Sequence, residues 1–160
     1  MLIVLAYSLV VGCIATLLLD AWVLLLQAAG MGGSNWGVVG QWVKGLGKGK
    51  FFHPGSAAPA VSQQDKAVGW LFHYVVGIIY ALLLVVIGGT HFIEAPTWAP
   101  IIWVGFVLST LCGLLILVPA LGGGLLASKT PNQAKSIGLM LVGHAVFSIG
   151  LYLGAQLFAA

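Results

Sequence analysis

The chain has 160 residues, of which 61% are hydrophobic and 6% charged, with six lysines, no arginine, three acids and a mean hydropathy of +1.11. So little polar surface excludes a soluble globular domain of this length, and nothing in the net charge of +3 calls for a nucleic-acid partner. Cys13 and Cys112 both sit inside apolar runs, which excludes a secreted disulfide framework as the organising principle.

About 20 apolar residues cross the hydrocarbon of a bilayer at 1.5 Å per residue. Four runs meet that length, over residues 2–27, 67–87, 101–119 and 137–158. A spanning segment must satisfy its own backbone and four spans are too few to close a barrel, so all four are read as helices of one membrane domain, an all-α four-helix bundle. No Lys or Arg precedes the first run, which is longer than a secretory h-region, so it is read as a span rather than a removable leader.

The first span carries Asp20. A carboxylate inside a membrane helix costs about 3 kcal/mol unless it is protonated, paired or facing a polar interior, so Asp20 is expected to face protein. The connection that follows, residues 28–66, contains Lys44, Lys48, Lys50 and Lys66. Within it, residues 35–46 read as a short surface helix, capped by Ser34 or Asn35, with Trp36, Val39 and Val43 at helical spacing. Gly, Pro, Ser and Ala then dominate to Asp65, with Phe51, Phe52, His53 and Pro54 placed to fold back on the bundle.

The connection between the second and third spans holds His91, Glu94, Pro96 and Trp98 but no lysine, whereas the one after the third holds Lys129 and Lys135. By the positive-inside rule the two lysine-bearing connections are cytoplasmic and both termini are outside. Pro119 and the Gly122, Gly123, Gly124 run break the third helix. Exposed amides beside Lys129 there suit a phosphate or lipid headgroup, but a plain inter-helix turn needs the same residues and is preferred, since the Gly-Lys-Ser/Thr order of a P-loop is absent.

Each span has small or polar residues four apart, which let helices approach closely. They are Ser8, Gly12, Thr16 and Asp20; Gly69, His73, Gly77 and Ala81; Gly105, Ser109 and Gly113; and Met140, His144, Ser148 and Tyr152, with Gly150 and Gly154 as a further pair. Packing alone accounts for the glycines and serines, but it does not require Asp20, His73 or His144. By helical rise these three lie at about the same depth, roughly 10 Å from the cytoplasmic ends of their spans.

Three chemistries fit an acid and two imidazoles at one level. They can relay protons or bind a cation in transport; the histidines can hold a metal with Asp20 as ligand or outer partner; or they can ligate a haem for which Gly69, Gly77 and Gly143 leave room. The alternative is a buried hydrogen bond that only fixes packing. His53, Thr16, Tyr80 and Ser148 are contributors to such a path, and Tyr74, Tyr80 and Tyr152 can extend a hydrogen-bond chain. No nucleophile and base are spaced to support an enzyme.

The segments Asp20-Ala21-Trp22, Val39-Gly40-Gln41-Trp42, Gly49-Lys50-Phe51-Phe52-His53, Gly69-Trp70-Leu71-Phe72-His73-Tyr74, Ala127-Ser128-Lys129-Thr130-Pro131 and His144-Ala145-Val146-Phe147 carry a resemblance. Together with Gly77, Tyr80-Ala81 and Gly150-Leu151-Tyr152, they make the chain similar to a family of small, uncharacterised bacterial inner-membrane proteins classed as a domain of unknown function. The family carries arginine at several basic positions, as at Gln41 and Lys129, and glutamine at Val118, so an arginine-dependent anion site does not carry over. The resemblance implies a four-helix protein of the bacterial inner membrane and no established activity.

The working expectation is transport, a channel or proton relay through Asp20, His73 and His144, in a self-associating protein because so small a bundle has little interior. The competing expectations are an accessory subunit of a larger membrane complex and a haem or metal protein.

Overall fold

A computed structural model describes residues 1–159. Its described residues are mostly helical with no strand, and four helices are long and apolar enough to cross a membrane. They are α1 (Leu2–Ala28), α3 (Gln63–Gly88), α4 (Trp98–Ala120) and α5 (Gln133–Gln156), while α2 (Trp36–Leu46) is the short helix of the first connection. The protein is a multi-pass, all-helical membrane protein.

The helix ends explain the boundaries. Asn35 caps α2 by accepting from the Gly37 and Val38 amides at 3.2 and 3.3 Å. Ser62 and Asp65 form a reciprocal capping box at α3: the Ser62 hydroxyl accepts from the Asp65 amide at 3.1 Å, and the Asp65 carboxylate accepts from the Ser62 amide at 2.9 Å. Asn132 does the same work for α5, accepting from the Lys135 amide at 2.9 Å. Because these caps are polar residues ahead of the apolar runs, α3 and α5 begin about one turn before the hydropathy alone suggests.

Three helices stop in one way. At α1, α2 and α4 the chain turns through a glycine of positive φ, Gly30, Gly49 and Gly122. The amide after each glycine then donates five residues back: Met31 to Leu26, Lys50 to Gly45 and Gly123 to Val118, all at 2.9 Å. This Schellman closure satisfies carbonyls that the helix leaves open, and the left-handed backbone it needs costs a glycine least.

Two compact units make up the chain. The first consists of Met1–Gly33, Tyr74–Thr110 and Leu141–Ala160. Its core holds Tyr7, Val11, Ala15, Ala81, Leu84, Ile101, Val104, Phe147 and Leu151. Small residues let its helices touch backbone to backbone. A Cβ on Gly12 would stand 2.5 Å from the Ile78 Cα, one on Gly77 would fall on the Thr16 hydroxyl, and one on Gly150 would stand 2.6 Å from the Ala15 Cα. The four-apart stripes are thus contact seams, with Ser8, Gly12, Thr16, Gly77, Ala81, Gly105, Ser109 and Ser148 all buried.

The second unit consists of Ser34–His73 and Leu111–Met140. Val39, Trp42 and Ala120 form its core, with Trp36, Val43, Phe72, Leu117 and Leu121 packed around them. Here α2 lies directly on the start of α3, since a Cβ on Gly40 would fall on the Asp65 carbonyl oxygen and one on Gly69 on that of Trp36.

Candidate functional site

In the first unit, Asp20 is partly buried, and Tyr74 on α3 donates its hydroxyl to the Asp20 carboxylate at 2.9 Å. The fixed approach of α1 and α3 at Gly12 and Gly77 holds the two side chains in reach. His144 on α5 is also partly buried, and its Nδ1 lies 2.9 Å from the Thr110 hydroxyl of α4. Each ionisable group therefore meets a hydroxyl from a different helix.

Thr110 reaches His144 through an irregularity of α4. Over Ile102–Leu108 and again over Gly113–Leu117 the helix widens into π turns. In a regular α-helix a residue five after Gly105 would lie roughly 140° round the axis. The i to i+5 turn instead brings it beneath Gly105, so Thr110 joins Ser109 on the buried face. Four-residue spacing from Gly105 therefore marks Ser109 and not Thr110.

Ser8, Thr16, Ser109 and Ser148 donate to carbonyls of their own helices, to Val4, Gly12, Gly105 and His144 respectively. The protons of Thr16 and Ser148 are thereby committed locally, and these residues serve packing. Tyr80 sets its ring edge-on to Phe147 at a centroid distance of 5.9 Å. Replacing Thr110 with valine keeps the shape and deletes the His144 partner, so a loss of about 1 kcal/mol in thermal stability in detergent is expected. A melting curve superimposed on that of the parent protein would show that the contact carries no weight.

His73 belongs to the second unit, where its ring stacks on Trp36 at 3.9 Å with Trp70 edge-on at 6.0 Å. Among the described residues, no three His, Cys, Asp or Glu side chains gather so as to hold a metal ion. The room expected for a haem is taken up at two of the three glycines, where Gly69 faces the Trp36 carbonyl and Gly77 the Thr16 hydroxyl, while a Cβ on Gly143 would meet the Leu19 side chain at an ordinary 3.4 Å. Gly69 and Gly77 serve helix contact, so the packing corrects the expectation that these two open a slot for a ring.

The second unit contains a polar network apart from the ionisable groups of the spanning helices. The Asp65 carboxylate accepts from Lys44 Nζ at 2.8 Å, Gln41 Nε2 at 3.3 Å and both the amide and hydroxyl of Ser62. Gln41 also donates to the Pro59 carbonyl at 3.0 Å. His53 Nδ1 accepts from the Gly55 amide, which leaves Nε2 to donate to Gln41 Oε1 at 3.0 Å. The network ties α2, α3 and the irregular segment together. The Ser-x-x-Asp spacing at Ser62 was the available signal, being the sequence mark of a capping box.

The glycine run after α4 resolves as a turn. The amides of Gly122, Gly123, Ala127, Ser128, Lys129 and Thr130 all donate to nearby carbonyls, which leaves them unavailable to an anion. Leu126 and Ala127 adopt left-handed backbone there, with φ of 53° and 60°, held by the Gln133 side chain on the Leu126 carbonyl and the Thr130 hydroxyl on that of Ala127.

Neither a search of curated proteins nor one of solved structures gives a match. A family model described as "Protein of unknown function (DUF2938)" matches residues 9–158, which takes in Asp20, Tyr74, Thr110 and His144. On that coverage, together with its four apolar helices, the chain belongs to the DUF2938 family of uncharacterised proteins.

Proposed function

We propose that this protein carries protons, or a small cation exchanged for them, across the membrane, with Asp20 and His144 as the groups that load and release. Ionisable side chains within spanning helices are expensive and are found chiefly where a path for ions or protons requires them. The observation that carries the reading is the pairing of each with a hydroxyl from another helix, Tyr74 for Asp20 and Thr110 for His144.

A hydroxyl can donate or accept. Tyr74 donates to the Asp20 carboxylate, and once Asp20 binds a proton its hydroxyl can accept from the carboxyl instead. Thr110 likewise donates to Nδ1 of a neutral His144 or accepts from Nδ1–H when that nitrogen is protonated. Each group therefore keeps a hydrogen bond in both charge states, which lowers the cost of changing state within a low-dielectric setting.

The test is proton or cation flux into proteoliposomes under an imposed gradient. Asp20→Asn is expected to lose most of the flux while inserting and melting normally, and Tyr74→Phe to retain Asp20 but slow the flux several-fold. Absence of gradient-driven flux through the parent protein, or full flux through Asp20→Asn, would overturn the proposal.

A further inference from the structure

We infer that the second unit carries a binding face for anionic phospholipid, in which Phe51 and Phe52 enter the headgroup region while Lys48 and Lys50 hold the acidic lipids beside them. This inference stands independently of the transport reading.

The two phenylalanines are 68% and 70% exposed, although the backbone around them is tightly held. The Schellman closure of α2 fixes Lys50, the Trp42 indole donates to the Phe51 carbonyl at 2.9 Å, and the His53 amide donates to the Ala120 carbonyl at 2.8 Å. Trp42 is itself buried edge-on to Phe72, and the His53 ring is held by Gln41. Pinned on both sides, the backbone holds the Cα–Cβ bonds of both phenylalanines in place, and their rings stand exposed from it. The apolar face of α2 packs on Phe72, Leu117 and Leu121, which leaves the phenylalanine pair as the exposed apolar feature of this segment.

Charge selects the occupant. All six lysines lie in the second unit, and its one acid, Asp65, is engaged by Lys44. Five lysines remain with no acid in the unit to answer them, and Lys48 and Lys50 immediately precede the aromatic pair. The connections after the first and third spans, which carry Lys44, Lys48, Lys50 and Lys129 with Lys66 and Lys135 in the first turn of the helix that follows, leave a bilayer on the same side when each helix crosses once. An apolar pair flanked by cations at the end of spanning helices meets the acidic headgroups of its own leaflet before any other partner, with the lysine stems extending along the interface.

The experiment uses the full chain with Cys13→Ser and Cys112→Ser, spin-labelled at Phe52→Cys or, as a control four residues on, at Ser56→Cys. The protein is reconstituted in phosphatidylcholine vesicles with or without phosphatidylglycerol. The label at position 52 is expected to collide with oxygen in preference to an aqueous nickel complex when phosphatidylglycerol is present, whereas the label at 56 stays accessible to nickel. Adding Lys48→Gln and Lys50→Gln should return position 52 toward the control. Equal nickel access at the two positions, or dipolar broadening at 52 that marks contact with a second copy, would overturn the inference. Because labelling removes one of the two rings, native mass spectrometry of the otherwise unaltered protein supplies a second measurement. Retained phosphatidylglycerol should fall in the lysine double variant, and equal retention would also count against the face.

Discussion

Replacing Gly12 with alanine is expected to cost about 2 kcal/mol and to remove activity together with stability, although only one methyl group is added. The new Cβ would stand 2.5 Å from the Ile78 Cα, 2.7 Å from its nitrogen and 2.8 Å from the Gly77 carbonyl oxygen, all of them backbone atoms. No rotamer change relieves such a clash, so α1 and α3 must part by about 1 Å in an interior packed as densely as a crystal. Eight residues along α1, about 12 Å away, the same seam holds the Asp20 carboxylate 2.9 Å from the Tyr74 hydroxyl, and that bond lengthens with it. Gly138→Ala is the control, since a Cβ there meets nothing within 4 Å. Thermal unfolding and proteoliposome flux measured on both variants check the prediction: a melting point for Gly12→Ala equal to that of Gly138→Ala would mean that the helices do not touch there.

Gly40→Ala is expected to lift α2 off α3. The added Cβ would fall on the Asp65 carbonyl oxygen and stand 2.8 Å from the Gly69 nitrogen, again backbone. Separation at that point pulls apart the Lys44 and Gln41 bonds to Asp65 and the stacking of Trp36 on His73, and it frees the Trp42 indole from Phe51. A penalty of about 2 kcal/mol corresponds to roughly thirtyfold faster hydrogen exchange of the α2 amides, if exchange follows local opening. Gly47→Ala serves as control, because its nearest neighbour would be the Lys44 carbonyl oxygen at an ordinary 3.7 Å. Unchanged protection of α2 in Gly40→Ala would refute the docked arrangement.

Much of the scaffold was legible in the chain. Apolar runs of spanning length announce membrane helices because a bilayer leaves a backbone no other way to satisfy itself. Gly12, Thr16, Gly77, Gly105 and Ser109 announce contact seams because small side chains at four-residue spacing permit close approach. The residues of the site were legible less evenly. Asp20 and His144 stand out for their cost in an apolar helix, and Tyr74 is legible as one of three tyrosines able to extend a hydrogen-bond chain, but Thr110 is unremarkable in such a segment. Thr110 in particular depends on a π turn, over Ile102–Leu108, that no 3.6-residue template contains.

What the amino-acid order alone determined is the class of molecule, the four crossings and the seams along which helices meet, because hydrophobicity and side-chain size act locally and with a fixed period. The folded chain decided which hydroxyl meets each ionisable group, how Asp65 gathers Lys44, Gln41 and Ser62, and why Phe51 and Phe52 stay outside. Those outcomes depend on the spacing and rotation of helices distant in sequence, which are set by backbone contact at a few glycines and by the widened turns of α4.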